Sequence, residues 1–200
     1  PGHGFGDAIE QQAWEDDLRS ALQIPAGARV LDVGTGTGIF ARLFAGWGCQ
    51  VFGIDPSEQM LHEARSRTPE TLRPNLTFVT GDTMRDGSLF PAASFDYVVS
   101  RQVVCHLADP LEAFGHWHTW LKPGGYALIV DGLWSREGWG SDELVDSLPL
   151  SCLKTRGTLA YLLEKAGFLV ERNQWLERVN HLLGSTTSPR YVVVARRPPR

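Results

Sequence analysis

The chain has 200 residues, of which 42% are hydrophobic, and its formal net charge is -4 at pH 7. This length and hydrophobic content suit one compact domain, which buries about 70% of the surface of its unfolded chain. A negative net charge provides no broad cationic field for a phosphate backbone. The composition therefore argues against nucleic acid as a partner.

The three cysteines, Cys49, Cys105 and Cys152, lie far apart and form no C-x-x-C pair. Neither a disulfide framework nor a zinc site is indicated, and we predict no metal. No stretch reaches the roughly eighteen apolar residues of a membrane span, and the N-terminus lacks the layout of a signal peptide. We therefore expect a soluble protein of the reducing cytoplasm, with no membrane partner.

The first part of the sequence alternates between helical and strand-like patterns. Residues 7–23 carry apolar side chains at helical spacing, and Pro25 ends that pattern. Strands are predicted at 29–33, 50–54, 76–80, 95–100 and 126–130, with helices between them at 39–47, 57–67 and 110–121. Such alternation indicates right-handed crossovers and a mostly parallel sheet that is covered on both faces.

The C-terminal part departs from this alternation. Residues 132–150 are rich in Trp, Gly, Ser and Asp and predict a long loop, a kind of segment that is usually functional or disordered. A helix is predicted at 156–167 and strands at 168–172 and 191–195, with no crossover helix before the last strand. The predicted fold is α/β, a Rossmann-like three-layer sandwich with a mostly parallel seven-stranded sheet whose last strand is antiparallel.

A glycine-rich turn joins the first strand to its helix in Val30-Leu31-Asp32-Val33-Gly34-Thr35-Gly36-Thr37-Gly38. Glycines let the backbone turn sharply and approach a ligand closely. The spacing is G-x-G-x-G, whereas a dinucleotide site has G-x-G-x-x-G with a pyrophosphate at the helix N-terminus. The adjacent Asp32 suits a cationic ligand better than a pyrophosphate, which argues against a nicotinamide reductase.

Acids also end the second and third strands. Gly53-Ile54-Asp55 places a carboxylate where a doubly wound fold can hold a ribose hydroxyl pair. Gly81-Asp82 places another at the end of the third strand. Three acids at the carboxyl edge of one sheet predict a ligand site there.

Together these motifs resemble those of the class I S-adenosylmethionine-dependent methyltransferases, in particular the small single-domain type 11 group. The resemblance is strong over residues 26–131 and follows family order and spacing. Besides the glycine turn it rests on Gly53-Ile54-Asp55-Pro56-Ser57-Glu58-Gln59-Met60-Leu61, Gly81-Asp82-Thr83-Met84, Phe95-Asp96-Tyr97-Val98-Val99-Ser100, His106-Leu107-Ala108-Asp109-Pro110 and Leu121-Lys122-Pro123-Gly124-Gly125-Tyr126. It implies S-adenosylmethionine as the cofactor and S-adenosylhomocysteine as the product.

The resemblance also implies a set of cofactor-binding residues. They are Asp32, Gly34, Thr35, Gly36, Gly38, Asp55, Pro56, Met60, Asp82, Thr83, Ser100 and Arg101. In this assignment Asp32 lies near the methionine ammonium, Asp55 holds the ribose hydroxyls and Asp82 accepts from the adenine amine. We expect one domain over 1–200, divided into an N-terminal helix or lid (1–25), a cofactor-binding core (26–131), a substrate loop (132–155) and a C-terminal helix with two strands (156–200).

The candidate catalytic residues are His106 and Arg101, chosen by motif position. A sulfonium methyl needs chiefly an acceptor held in line behind it, and a base adds about a hundredfold or more for a hydroxyl or protonated nitrogen. His106 is that base, or it only forms hydrogen bonds within its loop. Arg101 offers a bidentate grip for an acidic acceptor, or it forms a structural ion pair.

Aromatic residues are the candidate substrate contacts. Trp134 and Trp139 follow the fifth strand, where their rings either cover a substrate or pack the loop onto the sheet. Trp14 is the candidate from the N-terminal segment. The cluster His116, Trp117, His118 and Trp120 is expected to pack rather than to bind a metal, because its two histidines lie on different faces of a helix.

The sequence thus predicts an enzyme that transfers methyl in line to an oxygen, nitrogen or carbon atom of a small molecule, and that exists as a monomer or weak homodimer. A nucleic-acid methyltransferase is disfavoured, because the fourth strand lacks an Asn/Asp-Pro-Pro-aromatic motif. Two alternatives stay open. One is methylation of peptides or proteins, which uses the same fold with different loops. The other is a cofactor-binding partner protein without catalysis.

Overall fold

The computed structural model describes residues 5–184 and 188–199. The helices are α1 (Ala8–Ala21), α2 (Ile39–Gly46), α3 (Glu58–Ser66), α4 (Pro110–Trp120), α5 (Asp142–Ser147), α6 (Gly157–Lys165) and α7 (Glu177–Leu183). The strands are β1 (Arg29–Val33), β2 (Gln50–Asp55), β3 (Leu76–Thr80), β4 (Phe95–Arg101), β5 (Leu121–Gly132), β6 (Leu169–Trp175) and β7 (Arg190–Arg196). The predicted elements recur with shifts of up to a few residues at their ends, except that β5 begins at Leu121 rather than at residue 126.

The strands form one sheet in the order β3-β2-β1-β4-β5-β7-β6. The pairs among β1 to β5 are parallel, whereas β7 runs antiparallel to both β5 and β6. This confirms the predicted Rossmann-like sheet and its antiparallel last strand. The strand order reverses between β1 and β4, and in open sheets of this type ligands bind beyond the carboxyl ends of the strands at such a switch point.

Helices cover the sheet on both faces. On one face Trp14, Phe40 and Val179, from α1, α2 and α7, share a buried apolar cluster with Val30 of β1. On the other face helices α4 and α6 pack against the alternate residues of the same strand. Because successive side chains of a strand point to opposite faces, Asp32 lies on the same face as Val30, beneath α1 and α2.

The sequence predicts a loop over 132–150, but α5 lies within it. The helix begins after Ser141, whose Oγ accepts a hydrogen bond from Leu144 N at 3.1 Å. Its six residues are too few to show helical periodicity, so the pattern does not reveal it.

The sequence predicts no crossover helix before the last strand, and β6 and β7 are indeed adjacent antiparallel strands, but a short helix that was not predicted, α7, lies between them. Its N-cap residue, Leu176, has no side-chain acceptor. Asp17 of α1 takes that role, since its Oδ2 accepts from Val179 N at 3.0 Å, 162 positions further along the chain. A cap from so distant a residue leaves no local sequence signal.

Within residues 5–184 and 188–199, no helix has the length and hydropathy needed to cross a membrane.

We expect Asp17→Ala to lower the free energy of unfolding by about 1–3 kcal/mol. The Asp17 side chain is only 4% exposed, and its loss leaves the first turn of α7 without an acceptor for Val179 N. Urea unfolding followed by circular dichroism measures the change.

The matched control is Asp16→Ala. Asp17 and Asp16 both form ion pairs with Arg178, at 3.3 and 3.5 Å, but the Asp16 side chain is 43% exposed. An ion pair of that kind contributes about 0–1 kcal/mol. Equal losses in the two variants would contradict the capping role of Asp17.

Candidate functional site

A cavity of about 520 Å³ lies beyond the carboxyl ends of β1 and β4. It is lined by Asp32, Gly34, Thr35, Gly36, Thr37, Ile39, Phe40, Met60, Arg101, Gln102, Cys105, His106, Trp134, Ser135, Gly138, Trp139 and Ser188. The structure thus brings together Asp32 and most of the glycine turn with Met60, Arg101, His106, Trp134 and Trp139. The other predicted site residues do not line the cavity.

Two glycines of the turn have different surroundings: Gly34 lies close to another side chain, whereas Gly36 faces open space. Gly34 has a φ of 63°, and a Cβ there would lie 2.4 Å from Val103 Cγ2. Gly36 has a φ of 53°, and a Cβ there would meet no other atom within less than 4.0 Å. The bare backbone at Gly36 therefore leaves room for a ligand. Gly38, also at positive φ, precedes the first turn of α2.

Asp32 is the central charged group of the cavity. The residue is 1% exposed, and its Oδ2 accepts a hydrogen bond from Thr35 Oγ1 at 2.6 Å. Its Oδ1 has no hydrogen-bond partner among the residues that the structure describes. Burial raises the pKa of Asp32 from its ordinary 3.8 to about 7. An acid of this kind is poised to gain from a cationic ligand, because ionisation without one is costly.

Ser100 is a second buried polar residue without a partner. It is fully buried near the end of β4, and its Oγ makes no hydrogen bond within the described parts of the chain. Unsatisfied buried polar atoms are rare in folded proteins and require an explanation. Ser100 does not line the cavity, so the open backbone at Gly36 and the free Oδ1 of Asp32 are the features that fit the polar, cationic methionine end of S-adenosylmethionine.

Asp55 connects two of the cofactor motifs. Its carboxylate accepts from Gly36 N at 2.9 Å and from Ser57 N at 2.9 Å. A carboxylate has about four lone-pair sites, so two remain for the hydroxyl pair that the resemblance assigns to it. The following Pro56 is exposed, and Met60, which is 37% exposed, reaches the cavity from α3.

Three side chains of α4 donate hydrogen bonds to the loop after β3. His116 Nδ1 donates to Thr83 O at 2.8 Å, Trp117 Nε1 donates to Thr83 Oγ1, and Trp120 Nε1 donates to Gly87 O at 2.9 Å. Thr83 is therefore buried against α4, while Asp82 is half-buried and accepts from Met84 N at 2.9 Å.

The packing role predicted for the His and Trp cluster of α4 is thus a specific one for His116, Trp117 and Trp120. His116 and Trp117 hold the loop at Thr83, next to Asp82, whereas Trp120 holds it further along, at Gly87. His118 instead packs against the edge of Phe168, with ring centroids 5.2 Å apart.

Beyond β4 the chain turns through a strained residue. Gln102 has a φ of 57°, a conformation that a residue with a side chain rarely adopts and that often marks a functional site. The turn brings His106 to the cavity, where its exposed ring lies 5.0 Å from that of Trp139. The sequence left open that His106 only forms hydrogen bonds within its own loop. Among the described residues, the His106 ring forms no such hydrogen bond.

Asp131, at the end of β5, is a site residue that the sequence analysis missed. Its buried carboxylate accepts from Trp134 Nε1 at 2.6 Å, Gly132 N at 2.7 Å and Cys105 N at 3.2 Å. Burial raises the pKa of Asp131 and also that of the Cys105 thiol, which therefore stays protonated and unreactive. Asp131 joins the segment after β4 to the segment after β5.

Trp14 lies behind the cavity wall rather than in it. It is 3% exposed and packs against Phe40, with ring centroids 5.8 Å apart. Its side chain supports the Phe40 ring, which does line the cavity.

We expect Asp32→Asn to stabilise the ligand-free protein above pH 7. The folded protein holds a proton on Asp32 between pH 3.8 and about 7, where the unfolded chain has lost it. The wild type therefore loses about 1.4 kcal/mol per pH unit across that range relative to the variant. Urea unfolding at pH 5 and at pH 8 measures the difference, which should grow with pH. A difference that is the same at both pH values would contradict the raised pKa.

We expect Trp117→Phe to weaken S-adenosylhomocysteine binding by about 5- to 10-fold, because it leaves the Thr83 hydroxyl without its donor in the loop that carries Asp82. Calorimetric titration measures the change. Trp120→Phe is the control, since it removes a hydrogen bond from the same helix to Gly87, further along the loop. Equal losses of affinity in the two variants would indicate general damage to α4 instead.

Comparison with known proteins places the chain in a family. A family model described as a methyltransferase domain matches residues 7–173. The ubiquinone biosynthesis O-methyltransferase of Ruegeria pomeroyi is 35% identical over 125 residues, which are 61% of this chain and 49% of that protein. The one from Albidiferax ferrireducens is 37% identical over 104 residues, 52% of this chain and 41% of that protein. The chain thus spans about half the length of these curated relatives, or less.

Solved structures agree on the fold. A S-adenosylmethionine-dependent methyltransferase from Mesorhizobium loti superposes with a TM-score of 0.70 at 25% identity, covering 95% of this chain and 100% of that one. The [4+2]-cyclase SpnF superposes with a TM-score of 0.74 at 21% identity, covering 96% and 81%. Because the family model covers most of the chain, this protein belongs to the methyltransferase-domain family, in agreement with the resemblance of its motifs to those of the class I S-adenosylmethionine-dependent methyltransferases.

Proposed function

We propose that the chain transfers the methyl group by in-line displacement to a hydroxyl of a small, planar acceptor. The observation that carries this proposal is that one cavity is lined by the glycine turn and also by His106, Trp134 and Trp139. Cavities of roughly 300–1,000 Å³ are typical of sites for small molecules.

Bound S-adenosylmethionine supplies a methyl carbon that its sulfonium sulfur has already activated. The chain therefore has to hold the acceptor in place and keep water away from it. Trp134 and Trp139 offer apolar ring surface for these two tasks. The hydrogen bond from Trp134 to the buried Asp131 fixes the orientation of one of these rings.

His106 is the proposed general base. Histidine is the side chain that most often takes this role, and the His106 ring lies at the cavity beside Trp139. A hydroxyl acceptor is favoured because it gains from a base and because the curated relatives are named as O-methyltransferases.

Acceptor recognition is assigned to the segment 132–155. It contributes Trp134, Ser135, Gly138 and Trp139 to the cavity. Methylation of peptides or proteins, and cofactor binding without catalysis, are the competing functions.

The test is a methyl-transfer assay against phenols, catechols, primary amines and short peptides, with S-adenosylhomocysteine release as the readout. We expect turnover with a hydroxylated aromatic acceptor. His106→Gln should lower kcat about 100-fold, because it removes the base but keeps a side chain of similar length. Its affinity for S-adenosylhomocysteine should not change.

Trp139→Ala is the matched variant for acceptor binding. We expect it to raise the KM for the acceptor about tenfold with little change in cofactor affinity, since it removes ring surface but no base. Turnover with peptides alone would support the first competing function. Cofactor binding without turnover on any acceptor class would support the second.

A further inference from the structure

The Trp134 ring, which lines the cavity, is fixed at its edge and on one face. Its Nε1 donates to the buried Asp131 carboxylate at 2.6 Å. The guanidinium carbon of Arg190 lies 4.2 Å from the ring centroid, within the range of a cation–π interaction. A Cβ at Gly132 would lie 3.0 Å from Arg190 Nη1 and 3.1 Å from Trp134 Cζ2. The absence of a side chain at position 132 therefore allows the guanidinium and the indole to lie this close.

Arg190 is anchored independently of Trp134. It begins β7, where its backbone N donates to Asn180 Oδ1 at 2.7 Å and its O accepts from Asn180 Nδ2 at 2.8 Å. Its side-chain Nη1 donates to Ser188 O. The described residues that line the cavity include Trp134 and Ser188 but not Arg190. The guanidinium is thus a preorganised support that acts on the cavity through the indole ring.

The charge of Arg190 also reaches the cavity. Burial lowers the pKa of Arg190, and the charge of Asp131 raises it. Asp131 offsets this charge incompletely, because burial raises its own pKa and so disfavours its ionised form. Arg101 lines the cavity and forms no ion pair within the described ranges, so the structural ion pair considered from the sequence is not present. Burial lowers the pKa of Arg101, and the charge of Arg190 lowers it further. Two cations therefore act on a ligand in this cavity.

We propose that Arg190 is a positioning residue for the acceptor, which holds the Trp134 ring in place and makes the cavity favour an uncharged or anionic ring over a cationic one. A guanidinium on one face of an indole uses the attraction that the π electrons offer to a cation. A second cation on the opposite face gains less from the ring and is repelled by the first. A planar phenol gains from the ring without this penalty.

This inference rests on the acceptor site of the proposed function, since it names the charge class of the acceptor for the same cavity.

The experiment titrates three phenols of similar size into the S-adenosylhomocysteine-loaded protein by calorimetry. At neutral pH 4-ethylphenol is uncharged, 4-hydroxyphenylacetate is an anion and tyramine is a cation. We expect the wild type to bind tyramine about tenfold or more weakly than the other two, because like charges then face each other across one ring.

Two variants of Arg190 separate its charge from its flat stacking. Arg190→Gln removes the charge but keeps a planar group that can donate to Ser188 O. We expect it to narrow the difference in affinity between tyramine and 4-ethylphenol by about 3- to 10-fold, while Arg101 maintains the rest. Arg190→Lys keeps the charge but not the planar group. It should preserve the difference and weaken all three phenols by about threefold. Neither variant should change the affinity for S-adenosylhomocysteine.

Arg19→Gln is the matched control. Its guanidinium also stacks on an indole ring, that of Trp47 at 3.9 Å, but it lies outside the cavity. We expect this variant to bind all four ligands as the wild type does.

The inference is overturned if Arg190→Gln leaves the difference unchanged, if it weakens S-adenosylhomocysteine as much as the phenols, or if the wild type binds tyramine as tightly as 4-ethylphenol. Wild type that binds none of the three phenols would also overturn it, even where another hydroxyl compound is methylated. Failure of the proposed function gives a different result. The phenols then bind in the expected order and depend on Arg190, but no methyl transfer follows, and the role of Arg190 stands.

Discussion

The site depends on one energetically unfavourable feature, the burial of the Asp32 carboxylate near the end of the central strand β1. Its neighbours Val30, Leu31 and Val33 are fully or almost fully buried, so the strand must carry Asp32 into the interior with them. Only one of its two oxygens has a partner in the described structure, and burial raises its pKa to about 7. A cationic ligand offsets this cost, so the ligand-free fold is less stable than the same fold with the ligand bound.

The glycine turn connects Asp32 with the segment after β4 on one side of the cavity and with the end of β2 on the other. Gly34 packs directly against Val103 in the segment after β4, and Gly36 donates to Asp55 at the end of β2. A change in the conformation of the turn would therefore alter the positions of both the segment after β4 and Asp55. Asp131 continues this chain of contacts, because it fixes both Cys105 and Trp134.

The sequence predicted those parts of the site that rest on local chemistry. Asp32 lies within a few residues of the glycine turn, and Asp55 and Asp82 each lie at the end of their own strand, so the parallel sheet brings the three strand ends to one edge. The contacts that hold them were not predictable in this way. Asp17 caps a helix 162 positions away, and His116 bonds to Thr83 across 33 positions. Asp131 bonds to Cys105 across 26. Such pairs leave no periodic pattern, since their spacing follows from the topology.

The fold alone does not decide the reaction, because the chain resembles in structure both methyltransferases and the [4+2]-cyclase SpnF. What separates these chemistries must lie in the side chains that face the cavity. In this chain the cavity is lined by Asp32, one oxygen of which has no hydrogen-bond partner among the described residues, by the Arg101 guanidinium, and by the His106 imidazole with the indole rings of Trp134 and Trp139. The acid needs a cation, and the imidazole is useful only to an acceptor that gives up a proton. Both requirements are met by the methyl transfer to a hydroxyl that we propose.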